Sequence, residues 1–557
     1  MGSPRRALRV LLLAAVAVPV PLGSAGSTWA GGADVVRETI TRLPGDRRTL
    51  KELYERRSGV LLWSDGGVAT GRAQSVITAL RAASDYGLSA ADYGGDALAA
   101  QLEALAGRRD PAPTQWQRFD ISLSNAALLF VHDLHFGRVD PRAVGFDMPA
   151  RRERFDSAAQ LEQLATRADT AVMLAEVQPD FLHYRLLQHS LLRYRQLART
   201  PDLTALPPLT RRAVTLGERY AGAPALRRLL AALGDLPPER ASGSDETLDR
   251  DLSIALRRFQ YLHGLREDSA LGRVTFAALT VPLAQRVRQI ELTLERWRWL
   301  PPPQASTIIV NIPQFRLFLF TSHLDREADM LRMNVIVGQE YPQLRTPVFA
   351  ADMNAIVFRP FWDVPSSITH GELLPLLRKR PDYLRTQNME LVGEAAGEAP
   401  ALAVTAGSLQ ALAAGRLRLR QRPGVDNALG LIKFVLPNSY GVYLHSTPAQ
   451  HLFAKPRRTF SHGCIRVSDP VALAAEALRG TAGNWTPEKI QAAMNGEATL
   501  RVGLAQPVHV LILYGTAVAS EDGAVHFFDD IYGHDRRLEA ALGLRPGPHL
   551  SLAARKP

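Results

Sequence analysis

A lone thiol close to imidazoles is a nucleophile with a candidate base, and this chain holds one. Cys464 is the only cysteine in 557 residues. It stands in Ser461-His462-Gly463-Cys464-Ile465-Arg466, with a second histidine upstream in Tyr443-Leu444-His445-Ser446. One cysteine forms no intramolecular disulfide, so Cys464 is either an inert buried residue or a thiol kept for chemistry. A free thiol has a pKa near ~8.5 and needs a neighbouring imidazole or cation to raise its thiolate fraction. His462, two residues away, would lie on the same side of an extended loop. His445 would arrive across a sheet and is the favoured base, its other ring nitrogen held by a backbone carbonyl or by Ser446. Gly463 would let the Gly463 and Cys464 amides approach a developing oxyanion, with the Tyr443 phenol as an extra donor.

Strands must carry these groups. Alternation puts Tyr443 and His445 on one face and Val442 and Leu444 on the other. Residues 446–460 are long enough to return the chain so that Cys464 sits beside that strand. Ser468-Asp469-Pro470 then starts a helix with Ser468 or Asp469 as cap, and Gly480 lies past its end. Further strands are expected over 307–312, 315–320, 333–338 and 432–445. Between about 367 and 425 the pattern breaks into helix-like, Arg-rich and Ala-rich sequence, including 373–379 and 415–422, which suggests an inserted lid subdomain or a plain structural extension.

Length and 46% hydrophobic residues imply several cores. Residues 1–30 read as an export signal: Arg5, Arg6 and Arg9 precede the apolar run from Val10 to Val20. That run is short of the ~20 residues of a spanning helix. The expected location is the periplasm, tethered to the membrane if the signal is uncleaved. A mainly helical domain is expected over 34–236, then a small module over 245–300, a catalytic domain over 305–540 and a flexible tail over 541–557. The net charge of +11 suits an anionic wall or membrane surface better than nucleic acid in an exported protein, although charges dispersed in this way equally describe a merely soluble basic surface.

Two resemblances follow. Ala255 to Gln260, His263-Gly264-Leu265, Leu271-Gly272 and Thr275 to Leu279 resemble the three-helix peptidoglycan-binding domain, departing at Ser269, where that family usually has glycine. Tyr443-x-His445 with Ser461-His-Gly-Cys464-Ile-Arg466-Val resembles the signature of the L,D-transpeptidases. That likeness extends upstream through Val310-Asn-Ile-Pro313, Val335 to Gly338, Thr346-Pro347, Pro360 to Pro365 and Lys433-Phe434. Downstream it runs through Tyr514, Thr516-Ala517 and Asp530 to Asp535. Arg359 stands where that family often has asparagine. With Leu53-Tyr54, Trp63, Phe136 to Pro141 and Tyr184, the whole is similar to the large lidded members with a scaffold domain.

The resemblance implies a multidomain α+β chain: a mainly α scaffold domain, a small three-helix peptidoglycan-binding module, and a mixed, mainly β catalytic domain with an inserted lid. It also implies roles: Cys464 as nucleophile, His445 as base, Gly463 and Cys464 as backbone oxyanion donors, Tyr443 as supporting phenol, His462 and Arg466 as loop-shaping residues, and Trp362 as a wall of the site. The reaction implied is acyl transfer between peptidoglycan stem peptides, forming third-to-third cross-links, without cofactor or metal and open to acylation by carbapenems. Stem peptides, glycan and other cell-wall synthesis enzymes are the implied partners. Two rivals differ in class. His445, His451, His462 and Cys464 are all zinc-ligand types, although their spacing fits no common zinc motif; and the helical regions could serve a non-catalytic wall-binding scaffold.

Overall fold

The computed structural model describes residues 32–43, 46–149, 155–302, 304, 306–320, 330–393 and 401–543. The expected export signal and residues 544–557 of the expected tail lie outside these. Among the described residues, no helix is long and apolar enough to cross a membrane.

The amino-terminal domain is built around helix Pro113–Phe136, whose buried residues run nearly all round it. A helix apolar on one stripe only could not sit at the centre of a bundle. Two of its buried polar groups, Asp120 and Ser124, are bonded across the bundle. Asp120 accepts from the Tyr54 hydroxyl (2.6 Å) and from the Leu62 and Trp63 amides (3.0 and 2.7 Å), and the Trp63 indole donates to Ser124 (2.8 Å).

The small module starts earlier than expected. Helix Ala223–Leu233 shares one core with helices Arg250–Leu262 and Arg273–Leu279, through Leu226, Leu230, Leu256, Phe259 and Leu271. Strand Ala213–Val214 pairs with Leu271–Gly272. The three-helix unit therefore begins before residue 213, and helix Leu283–Arg298 leaves it to pack on helix Leu182–Ala198. Ser269 has a φ of +60°, so the turn keeps the left-handed geometry that glycine favours, and Gln260 holds it by accepting from the Ser269 amide (2.9 Å).

The catalytic region is a nine-stranded mixed sheet: β1 (Thr307–Asn311), β2 (Arg316–Phe320), β3 (Leu331–Gly338), β4 (Phe349–Phe358), β5 (Ile432–Val435), β6 (Leu444–His445), β7 (Thr459–Ser461), β8 (Ile465–Val467) and β9 (Leu500–Leu513). The order is 7-3-8-6-5-4-9-1-2, and β2 also pairs with β3, so the sheet closes on itself. Closure pairs both sides of the strands from β3 round to β2 and encloses their core, while β7 stays bonded to β3 alone. The expected single strand over 432–445 is two antiparallel strands, β5 and β6, reversed at Asn438 to Gly441, where the Asn438 side chain bonds the Leu436 and Val442 carbonyls (2.6 and 2.7 Å). Asp469 caps helix Pro470–Ala477 through the Ala472 amide (3.0 Å).

The insertion lies between β4 and β5 and has its own small core of Ile368, Leu374, Leu377, Leu391 and Leu419. Its run over 415–422, expected to be helix-like, is instead strand Leu417–Gln421, paired with Met389–Gly393 and with Trp362–Asp363. The alternation Leu417-Arg418-Leu419-Arg420 puts the leucines on the insertion's core and the arginines on the other face, where Arg420 is buried against Glu390 at 2.5 Å.

Candidate active site

β6 and β8 are neighbouring parallel strands, with Leu444 opposite Ile465 and His445 opposite Arg466. The Ile465 amide donates to the Tyr443 carbonyl (3.1 Å), which continues the register to Tyr443 beside Cys464. Partners in a parallel pair present side chains to the same face. Leu444 and Ile465 are therefore core, and Tyr443, His445, Cys464 and Arg466 share the other face.

The thiol is half-buried. Burial pushes it above its ordinary range, opposed by the neighbouring Tyr443 and by the charges of Lys433 and Arg466. The thiol faces the Gly441 carbonyl at 3.9 Å. Burial raises the Tyr443 phenol, and the Trp362 indole nearby opposes that rise.

His445 is buried, and its Nδ1 meets the Ser446 carbonyl at 2.6 Å. Burial, and then the charge of Arg466, lower its pKa to about 3 against the opposing backbone contacts of Ser446 and Leu429, which leaves a neutral imidazole with Nδ1 donating to the Ser446 carbonyl. The Ser446 hydroxyl acts elsewhere: it accepts from the Leu431 and Ile432 amides (2.8 and 3.2 Å) and donates to the Leu429 carbonyl (3.2 Å). Gly430 makes this possible. Its φ is +63°, and a Cβ there would collide with Ser446 Oγ.

The loop before the nucleophile departs from expectation at two residues. The Gly463 amide donates to Ser461 Oγ (3.1 Å), whose own proton goes to the Cys464 carbonyl (2.5 Å). Gly463 therefore bends the loop, with φ +113°, and its amide is engaged within the loop. His462 turns outward. Its Nε2 lies 2.7 Å from Glu372 of the insertion, so it joins the lid to the loop and does not approach the sulfur.

Four contributors have no role assigned from the sequence. Lys433, opposite His445 in β5, extends its Nζ to 3.9 Å from the centre of the Tyr443 ring. Its place on an alternating strand, where Ile432 and Phe434 are core, was the available signal. Thr346 accepts from the Gly338 amide and donates to the Gly463 carbonyl (both 2.8 Å), while the Tyr532 hydroxyl donates to the Gly338 carbonyl (2.6 Å). The fourth is Glu372. Among the described residues, no group of three or more His, Cys, Asp and Glu side chains is placed to hold a metal ion.

Residues 305–490 match the family described as L,D-transpeptidase catalytic domain, and residues 48–191 match the family described as scaffold domain. A Haemophilus influenzae protein named "Putative L,D-transpeptidase" is 28% identical over 287 residues, 50% of this chain and 56% of its own length. The chain thus spans little more than half of that relative. A solved L,D-transpeptidase structure from Xylanimonas cellulosilytica aligns at 14% identity over 55% of this chain and 100% of its own, with a TM-score of 0.16, which is no measure of a shared fold. The loop of Cys464 and the strand of His445 both fall within the matched segment: residues 305–490 of this chain carry an L,D-transpeptidase catalytic domain, and residues 48–191 a scaffold domain ahead of it.

Proposed function

We propose that the protein is a cysteine acyltransferase that cross-links peptidoglycan stem peptides. The observation that carries this reading is the parallel pairing of β6 with β8, which sets a thiol, a neutral imidazole and a phenol on one face. Cys464 attacks the carbonyl of the third residue of a tetrapeptide stem as its proton passes to Nε2 of His445. The Cys464 amide and the Tyr443 hydroxyl receive the oxyanion. The departing D-Ala amine takes the proton from His445, leaving a thioester. The side-chain amine of diaminopimelate on a neighbouring stem then attacks, giving its proton to His445, and the thiol is restored as the third-to-third link forms. The energy comes from the peptide bond that is broken, so the cycle is balanced without nucleotide.

The neutral resting imidazole supports this cycle, because a base must be unprotonated before attack. The insertion supports a lid over the groove, since Trp362 and Glu372 reach the site from it. We place the enzyme in the periplasm, acting on wall peptide and glycan with other wall-building enzymes nearby, and expect carbapenems to acylate Cys464. The test is mass analysis of purified muropeptides incubated with the protein. Dimers lacking the donor's D-Ala are expected. Tripeptides alone would make the protein a carboxypeptidase, and no product with an unreactive thiol would end the enzyme reading.

A further inference from the structure

One register row of the barrel carries charges that no step of the acyl transfer above uses. Across five neighbouring strands, Arg466 of β8 stands opposite His445 of β6, His445 opposite Lys433 of β5, Lys433 opposite Val357 of β4, and Val357 opposite Arg501 of β9. Partners in a ladder share a face. The residues just before or after them, Ile465, Leu444, Phe434 and Ile356, are core, so the row lies on the face that bears Cys464. It sets a cation on every second strand, with backbones about 10 Å apart. None of Lys433, Arg466 and Arg501 has an ion pair or hydrogen bond among the described residues, and Arg466 Nε is buried without a partner. Elsewhere the chain answers such groups: the buried Arg420 and Arg296 meet Glu390 and Asp535 at 2.5 and 2.6 Å. A carboxylate whose charge does reach Lys433, that of Asp363, is held by Arg418 at 2.6 Å.

An ammonium half-buried against the Tyr443 ring, with a guanidinium group on either side, suits a carboxylate that the ligand brings in. Burial pushes Lys433 below its ordinary range, and an arriving anion offsets that cost. We propose that this row binds the carboxylates of the acyl donor, Lys433 holding one beside the scissile bond, and so selects donors in which that group is free. In a stem tetrapeptide two carboxylates flank the scissile bond, one on the terminal D-Ala and one on the side chain of the third residue. The identity of the donor rests on the transpeptidase reading above; the preference for a carboxylate rests on the unanswered row.

The test uses the full chain carrying Cys464→Ala, so that no chemistry intervenes, and a free stem tetrapeptide titrated by calorimetry. Adding Lys433→Gln should weaken binding about tenfold to a hundredfold, and Arg501→Gln, at the exposed end of the row, about threefold to tenfold. Lys433→Arg, which keeps the charge, should restore much of the loss. Tetrapeptides amidated at the terminal D-Ala or at the third residue's side chain identify the group that Lys433 holds. One of the two should bind the parent as weakly as the acid form binds the Lys433→Gln variant, and should be indifferent to that substitution. Amidation needs no change in the protein, so it reads the row whether or not the variants fold. A parent that ignores the tetrapeptide or does not distinguish it from either amide would overturn the proposal. So would a Lys433→Gln loss of equal size with the acid and both amides, which would make Lys433 a packing residue. Failure of the catalytic reading would show separately, as wild-type protein that prefers the acid tetrapeptide to its amides yet forms no thioester.

Discussion

At the residue scale, the site is a neutral thiol beside a neutral imidazole, and its pH behaviour follows. Burial raises Cys464 and lowers His445 to about 3. The alkylation rate of Cys464 by iodoacetamide should therefore keep climbing past pH ~8.5, the ordinary thiol value, with no plateau near neutrality. A plateau between roughly pH 5 and 7 would instead reveal a thiolate–imidazolium pair. Acylation should not lose its base across that same range, since His445 stays unprotonated until far lower pH. Tyr443→Phe removes a phenol beside the sulfur and a donor to the oxyanion, and should slow thioester formation about a hundredfold to a thousandfold in stopped-flow mass analysis. The catalytic face was legible in the sequence because alternation within two short segments is a local property, and Tyr443, His445 and Cys464 each lie within one. Thr346 and Glu372 were not, because each reaches the site through tertiary contacts that no spacing encodes, and the alternation around Lys433 gave its face but not its neighbour Tyr443.

At the scale of elements, the positive-φ glycines Gly430 and Gly463 shape the site, and Ser269 and Arg359 are among the positions that fill that conformation with side chains. Gly430→Ala should displace Ser446, and with it the carbonyl that orients His445; the expected result is a folded barrel by circular dichroism with thioester formation reduced at least tenfold. Ser269 and Arg359 have φ of +60° and +49°. Arg359→Asn should gain about 0.5–1 kcal/mol in chemical denaturation, because asparagine tolerates the left-handed region better than arginine does. The sequence shows both departures from family habit, yet only backbone angles explain them. The insertion was legible as an interruption, but its strand Leu417–Gln421 was not, since alternating leucine and arginine does not declare which neighbour it will pair with. The module's boundary was hidden for a similar reason. An amphipathic helix such as Ala223–Leu233 shows that it has a core-facing side, not whose core it faces. The lid contact yields its own expectation: Glu372→Ala should release His462 and raise the iodoacetamide rate at Cys464 several-fold if the pair holds the insertion down, and an unchanged rate would make the contact incidental.

At the scale of the whole molecule, the scaffold stands on buried polar joints. Burial pushes Asp120 up to about 6 despite its bonds from Tyr54, Leu62 and Trp63. The folded chain therefore holds that proton more tightly than an unfolded one, and the group's contribution to stability falls as pH rises from the ordinary carboxylate range through 6. Asp120→Asn would turn an amide N–H toward a backbone N–H and should cost about 1–3 kcal/mol in thermal unfolding at neutral pH. The joint to the barrel is of the same kind. Helix Leu283–Arg298 brings Glu295 to the Arg138 and Val139 amides, and Arg298 to the Tyr86 carbonyl and to the Tyr184 hydroxyl at 3.2 Å. A Cβ at Gly137 would meet Glu295 and the Trp299 indole, which explains a glycine in Phe136-Gly137-Arg138. Val144, Phe146 and Met148, from the amino-terminal half, complete the barrel's own core, and the Asp147 amide bonds the Val348 carbonyl (2.9 Å).

Such interleaving means that the amino-terminal half is not cargo on a tether. A barrel cut free at residue 305 would lose part of its hydrophobic interior and expose the surface that Phe146 and Trp299 cover. Wherever the helical half takes hold of a surface, the nucleophile is carried to a fixed offset from that hold, as a blade is fixed to its handle.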